Sequence, residues 1–249
     1  NDRFAFPIKQ GKFEASDLKR LKSHTALTYV NISEHSELKG DDVIQYLPPE
    51  NLQSLLIRKT NLTNRGVKDI GNKLSQLACL DIANNDGITD LRPLGQLRLL
   101  TELRVQLIGS LRHAWLGPQK PSLGGLLILN AADGTMDDAS LPYIESLHSL
   151  RRLDISGNSE LTDKSGSTLA KCSSLMDLDI GDMNVSDNML DKIQHLKLVR
   201  LSLKNTKVTK SGVIRLLKHM PTLKYLILDK TLNDQDLAEL RRQFPDCEI

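Results

Sequence analysis

Nine times along this 249-residue chain the same pattern returns: an apolar residue, two variable ones, a second apolar residue, one variable one, and a third apolar residue. The instances are LTYVNI from Leu27, LQSLLI from Leu52, LACLDI from Leu77, LTELRV from Leu100 and LGGLLI from Leu123. LRRLDI from Leu150, LMDLDI from Leu175, LVRLSL from Leu198 and LKYLIL from Leu223 follow. Successive starts are 25, 25, 23, 23, 27, 25, 23 and 25 residues apart. A period of that length means a stack of similar units. None of them can bury its apolar edge alone, so the units must pack into a solenoid.

Inside each unit the last two apolar residues alternate with variable ones, the period of a short strand with one buried face. After most strands comes an apolar residue and then a small polar one: Leu62-Thr63, Leu161-Thr162, Val185-Ser186, Val208-Thr209 and Leu232-Asn233. Those polar residues are good helix N-caps. Helical spacing follows in Val67, Ile70 and Leu74, in Leu190 and Ile193, and in Val213, Leu216, Leu217 and Met220. The expected fold is therefore α/β, with a parallel sheet inside a curve and helices outside it.

This organisation resembles the leucine-rich-repeat proteins over nearly the whole chain. Segments such as LTNRGVKDIGNKLSQL and LTDKSGSTLAKCSSL are similar to the ribonuclease-inhibitor-like, cysteine-containing branch. The third unit, with ITDLRPLGQL, looks more like the shorter internalin type, so a turn or two of helix is expected there. The fourth carries LIGSLRHAWLGPQKPSL, which has two prolines, the only tryptophan and no helical spacing, so the solenoid should bulge over 106–122. Residues 1–26, with Phe4, Phe6 and Ile8 alternating and Ser16, Leu18 and Leu21 behind them, read as an N-terminal capping unit. Residues 27–240 carry the repeats. Phe244, Cys247 and Ile249 in 241–249 read as the C-terminal cap, and 1–249 as one domain.

Composition narrows the function. With 26% charged residues and a net charge of +2, charge alone gives no support to binding a polyanion. Basic residues in RLSLKNTKVTKSGVIRLLKHM belong mostly to a helix and lack interleaved aromatics, so nucleic acid is not the expected partner. Cys79, Cys172 and Cys247 are odd in number and widely spaced, which favours a reducing, intracellular compartment over a secreted one. Asn31, Asn61 and Asn184 begin Asn-x-Ser/Thr triplets, which would accept glycans in a secreted protein, and chance explains as many. No stretch has the roughly 18 apolar residues of a membrane span. The chain begins at Asn1 and not at Met, which leaves room for a leader or a domain before it.

Chemistry is sought where side chains converge. The variable positions flanking the second apolar residue point out of the concave face and stack as two ladders. In units six to eight these read Arg152, Asp177, Arg200 and Asp154, Asp179, Ser202, which places Asp177 between two arginines. Asp154 and Asp179 lie at the spacing of a general acid/base pair. An open sheet is the wrong environment for one, and the arginines should keep both ionised. His24, Cys172 and His195 share the position three residues before the first leucine of their units, which invites a Cys–His nucleophile. A small sulfur packed between helix and sheet is the simpler reading. No three or four ligands share a register, so neither metal nor cofactor is expected. LGGLLI lacks the lysine of a phosphate loop.

The remaining concave residues are Tyr29, Asn31, Arg58, Asp81, Glu102, Arg104, Leu127, Leu129, Lys204, Tyr225 and Ile227. Leucines beside Tyr and Arg have the composition of a protein interface. The expected function is non-enzymatic recognition of a protein by a chain that is monomeric in isolation. Contacts are assigned to Arg58, Asp81, Arg104, Arg152, Asp154, Asp177, Asp179, Arg200, Lys204 and Tyr225, with Trp115 as a loop anchor. The resemblance implies two narrower roles: substrate receptor of a ubiquitin ligase, common in the cysteine-containing branch, or pathogen effector. From another class, the repeats could form the specificity arm of an enzyme whose catalytic domain lies elsewhere.

Overall fold

The middle apolar residue of each repeat sits at the centre of a three-residue strand, because only that residue and its two neighbours hold an extended backbone before the chain turns. The computed structural model describes residues 3–5, 15–109, 111, 122–229 and 231–249. Its strands are β1 (Arg3–Ala5), β2 (Tyr29–Asn31), β3 (Ser54–Leu56), β4 (Cys79–Asp81) and β5 (Glu102–Arg104). They continue with β6 (Ile128–Asn130), β7 (Arg152–Asp154), β8 (Asp177–Asp179), β9 (Arg200–Ser202) and β10 (Tyr225–Ile227). Among the described residues these form one ten-stranded sheet in which each strand is parallel to the next in chain order. The N-terminal cap expected from Phe4 joins it, with Phe4 opposite Val30. Phe6, Ile8 and Trp115 lie outside the described residues.

The return segments carry α1 (Gly40–Val43), α2 (Asn64–Lys73), α3 (Gly166–Leu169), α4 (Asp187–Ile193), α5 (Lys210–His219) and α6 (Asp234–Gln243). Thr63, Thr162, Ser186, Thr209 and Asn233 all cap helical turns as expected, each side chain accepting from a backbone N–H two or three residues on. Two units without such a cap return through 3-10 turns, at Arg92–Gln96 after β4 and Leu141–Ser146 after β6. The segment holding Leu18 and Leu21, Ala15–Ser23, is also 3-10. Neighbouring strands stand about 4.8 Å apart whereas packed helices need 8–10 Å. The sheet therefore takes the inside of the curve, and the core fills the space between it and the helical side.

One register differs from the sequence reading. The strand of the fifth unit is centred on Leu129, which is fully buried, so the unit starts at Leu126 and reads LLILNA. The run Leu126-Leu127-Ile128-Leu129 satisfies the repeat from Leu123 or from Leu126, and only the second lets Leu129 stack between Leu103 and Leu153. Leu129 is thus core. Leu127 keeps 37% of its surface at the start of the strand, and Ile128 and Asn130 take the concave positions.

Backbone groups between units are joined in a regular way. Two residues past the third apolar position the chain enters the left-handed region, at Glu34, Lys59, Asn84, Leu107, Asp133, Gly157, Asp182 and Asn205, with φ from 50 to 71°. The turn aims each of those N–H groups at the next unit, as in Asn84 to the Gln106 carbonyl (2.9 Å) and Asp182 to the Lys204 carbonyl (2.7 Å). Buried asparagines hold the turn from inside. Asn85 accepts from the N–H groups of Thr60 and Leu62, both at 2.9 Å, and donates to the carbonyls of Ile57 and Ile82 at 3.0 and 2.9 Å. Between the fifth and sixth units Asn158 accepts from the Met136 N–H at 3.0 Å and donates to the carbonyls of Ala131 and Ile155, both at 2.9 Å.

Helices are tied across units by carboxylates. Asp163 accepts from the N–H and hydroxyl of the next unit's cap, Ser186, at 2.8 and 2.6 Å. Asp41 holds Thr63, Asp138 holds Thr162 and Asp187 holds Thr209 in the same way.

Candidate functional site

The concave face is built from three ladders. The position before each strand centre carries Tyr29, Ser54, Cys79, Glu102, Ile128, Arg152, Asp177, Arg200 and Tyr225, and the position after it Asn31, Leu56, Asp81, Arg104, Asn130, Asp154, Asp179, Ser202 and Ile227. A third ladder follows one step beyond the last apolar residue: Ser33, Arg58, Ala83, Gln106, Ala132, Ser156, Gly181, Lys204 and Asp229. Arg58 and Lys204 belong here, past the ends of β3 and β9, and not to the strands.

Asp177 stands between Arg152 and Arg200, with contacts of 3.6 and 3.5 Å to the two Nε atoms. This is the arrangement expected from register. All three groups remain open to water, so the pairs hold orientation more than they add stability. Tyr225 extends the same ladder at the C-terminal end and is 47% exposed.

The second ladder has a role that the sequence reading missed. Asn31, Asp81, Asn130, Asp154 and Asp179 each accept the backbone N–H two residues on, from Ser33, Ala83, Ala132, Ser156 and Gly181, at 2.9 to 3.2 Å. These are Asx turns that fold the chain out of the strand. The signal was present in the sequence: wherever the second ladder is Asn or Asp, the residue two later is Ser, Ala or Gly. Asp81, assigned as a contact residue, is 1% exposed and supports its own turn.

The expectation that arginines dominate the setting of Asp179 is corrected. Burial is the largest influence on Asp179 and pushes its carboxyl above the usual range, and the Asp154 charge on the next strand pushes the same way. The Gly181 N–H, a Ser202 hydrogen bond and Arg200 pull back. Asp81 is raised too, again chiefly by burial, against the Ala83 N–H, Arg58 and Arg104. A raised carboxyl beside a second one is a feature of acid/base pairs, but here each is committed to its own chain. Asp154 binds the Ser156 N–H and hydroxyl at 3.1 and 2.7 Å and the Asn130 amide at 3.2 Å.

The thiol constellation has no reactive geometry. Cys172 is buried, its thiol pushed up to about 11 chiefly by burial, and it faces the Thr168 carbonyl at 3.7 Å. The His195 ring bonds the Ala170 carbonyl at 3.0 Å. A protonated buried thiol is a packing element. Among the described residues no three His, Cys, Asp or Glu side chains converge as a metal site would require, and no helix is long and apolar enough to cross a membrane.

At the centre of the face, Arg58, Asp81, Glu102, Arg104, Gln106, Ile128, Asn130 and Arg152 surround an open depression of about 330 Å³. Arg104 pairs with Glu102 and lies 3.9 Å from Asp81, and Arg58 lies 3.6 Å from Glu34. At the C-terminal end a second depression, about 350 Å³, lies beside Arg200, Tyr225, Ile227 and Arg241.

No protein-family model matches the chain, and no curated protein matches it. Among solved structures, an internalin from Listeria monocytogenes is 21% identical over 84% of this chain at a TM-score of 0.51. This chain spans 63% of that structure's length. The crystal structure of the Rad7 and Elc1 complex in yeast contains a chain that matches 90% of this one and 69% of its own length, at a TM-score of 0.58 and 15% identity. These likenesses show the fold: a leucine-rich-repeat horseshoe with its parallel sheet on the inner face.

Proposed function

We propose that this leucine-rich-repeat solenoid is a non-enzymatic recognition module whose protein partner docks on the concave sheet. The observation that carries the reading is the charged ladder Arg152, Asp177, Arg200, displayed at fixed spacing on strands whose backbone groups are already bonded. Such a surface binds with little ordering cost, because its side chains are braced before the partner arrives. The contact set is Arg58, Arg104, Arg152, Asp177, Arg200, Lys204 and Tyr225, with Asp81, Asp154 and Asp179 supporting it from below. The occurrence of a similar fold in a complex of Rad7 with Elc1 favours assembly with a protein. The capped helices α2, α4, α5 and α6 support the ribonuclease-inhibitor-like branch, within which this chain acts as one unit from end to end.

The test is affinity capture from the native lysate with wild type and an Asp177→Arg, Arg200→Glu double variant of unchanged melting temperature. A protein retained by wild type and lost by the variant is the expected result. An unchanged set of captured proteins would remove the charged ladder from the binding face. The narrower roles, ubiquitin-ligase substrate receptor and pathogen effector, separate on whether the captured set contains ligase subunits or host proteins alone.

A further inference from the structure

The third ladder is small wherever an Asx turn precedes it, at Ser33, Ala83, Ala132, Ser156 and Gly181. In the second and fourth units the preceding positions are Leu56 and Arg104, no such turn forms, and the ladder carries Arg58 and Gln106 instead. These long side chains stand either side of Ala83, with Ala132 beyond Gln106, and the central depression is the gap so framed.

Two polar atoms of its lining residues lie beneath the surface with no hydrogen-bond partner among the described residues: Arg58 Nε, a donor, and Gln106 Oε1, an acceptor. A buried polar group left unpaired is costly, so a side-chain movement that brings either atom out to a partner in the depression is favoured. The arginines have capacity to spare. Arg58 to Glu34 and Arg152 to Asp177 are each 3.6 Å, and Arg104 to Asp81 is 3.9 Å, all longer than a hydrogen bond.

Charge selects the occupant. Glu34 has a second cation in Lys59 at 3.4 Å, and Asp177 has one in Arg200 at 3.5 Å, so both outer carboxylates are already matched. Inside the depression three guanidinium groups, Arg58, Arg104 and Arg152, face two carboxyls, Asp81 and Glu102, which leaves one positive charge in excess. One carboxylate balances it, and the planar fork of arginine fits a carboxylate's two oxygens.

We propose that the depression framed by Arg58, Arg104, Gln106 and Arg152 is a specificity pocket for a single Glu or Asp side chain of the protein partner. This rests on the concave-face reading and adds what the partner must present there.

The experiment is an NMR titration of labelled protein, following the arginine Nε–H signals. The probes are an acetylated, amidated Gly-Glu-Gly peptide, its Gly-Gln-Gly counterpart and inorganic phosphate. Saturable shifts of Arg58, Arg104 and Arg152 with the glutamate peptide, absent with glutamine, are expected. Arg58→Met should weaken that binding by about tenfold or more, as loss of a hydrogen bond to a charged group does. Arg58→Lys, which keeps the charge but loses Nε, should recover part of it. Equal shifts with the glutamine peptide, or binding unchanged in Arg58→Met, would overturn the pocket. So would phosphate binding as tightly as the peptide, since that marks a general anion site. Failure here with the captured partner still dependent on Asp177 and Arg200 removes the pocket and keeps the recognition face. Loss of that dependence removes the face itself.

Discussion

Asp179 is a concave carboxylate whose surroundings work against its charge. A carboxyl whose folded pKa lies above its unfolded one holds its proton more tightly in the fold. Its contribution is therefore present at low pH and fades as pH rises from about 4 through the folded value. Asp179→Asn removes that loss while keeping an oxygen for the Gly181 N–H at 2.9 Å. The variant should melt higher than wild type at pH 7, with the gap closing by pH 4. Melting curves at the two pH values decide it, and a gap independent of pH would mean that the raised carboxyl carries no stability cost. Asp81 shifts in the same direction and stays in both proteins, so the comparison isolates residue 179.

At the level of elements, the distinctive contact is the one between helices of successive units, where a carboxylate in the first turn of one grips the cap of the next. Ser186 serves α4 as N-cap and also gives both its N–H and its hydroxyl to Asp163. Ser186→Ala should cost about 1 kcal/mol as a lost cap, and Asp163→Ala roughly 1–3 kcal/mol because it strands the Ser186 N–H. The double variant should cost less than the two together, with a coupling of at least about 0.5 kcal/mol in urea denaturation. Strict additivity would show that the two side chains act separately. The caps themselves were readable in the sequence, since Thr63, Thr162, Ser186, Thr209 and Asn233 each precede helical spacing. Their grip by Asp41, Asp163 and Asp187 was not, because an acid at a helix start reads equally well as a local dipole effect, and Asp138 lies in the turn before Leu141–Ser146. What links it to a neighbour 22 to 24 residues away is the stacking distance, which only the assembled solenoid supplies. The register of β6, the strand of the fifth unit, was missed for a related reason. Four consecutive apolar residues, Leu126 to Leu129, fit two frames, and the choice is made by the neighbouring strands. The concave ladders were legible where strand register was, as with Asp177 between its arginines. The turn-forming role of Asp81, Asp154 and Asp179 was not legible, because an Asx turn and a binding residue use the same side chains.

The whole molecule is a row of units in which each touches its neighbours along one sheet, so stability should be distributed by position along the row. Interior units such as that of Leu103 have a strand on either side, β4 and β6. Among the described residues the unit of β10 has β9 on one side and the segment at Glu248 on the other. There the Leu226 N–H donates to the Glu248 carbonyl and the Glu248 N–H to the Lys224 carbonyl, each at 2.8 Å. Leu103 and Leu240 are both fully buried, and replacing either by alanine removes the same atoms, at a cost of about 2–5 kcal/mol. Their consequences should differ in reach. Hydrogen exchange followed by mass spectrometry should show Leu240→Ala loosening α6, β10 and the tail while β4 to β6 keep wild-type protection. Leu103→Ala should weaken protection in the units on both sides of β5. If Leu240→Ala loosened β4 to β6 as much as β10, the units would be unfolding as one cooperative body, and the cross-unit asparagine and carboxylate ties would be stronger than nearest-neighbour stacking requires. A solenoid that instead loosens locally around α6 and β10 keeps its central strands rigid, and those strands carry the braced arginines on which the proposed recognition depends.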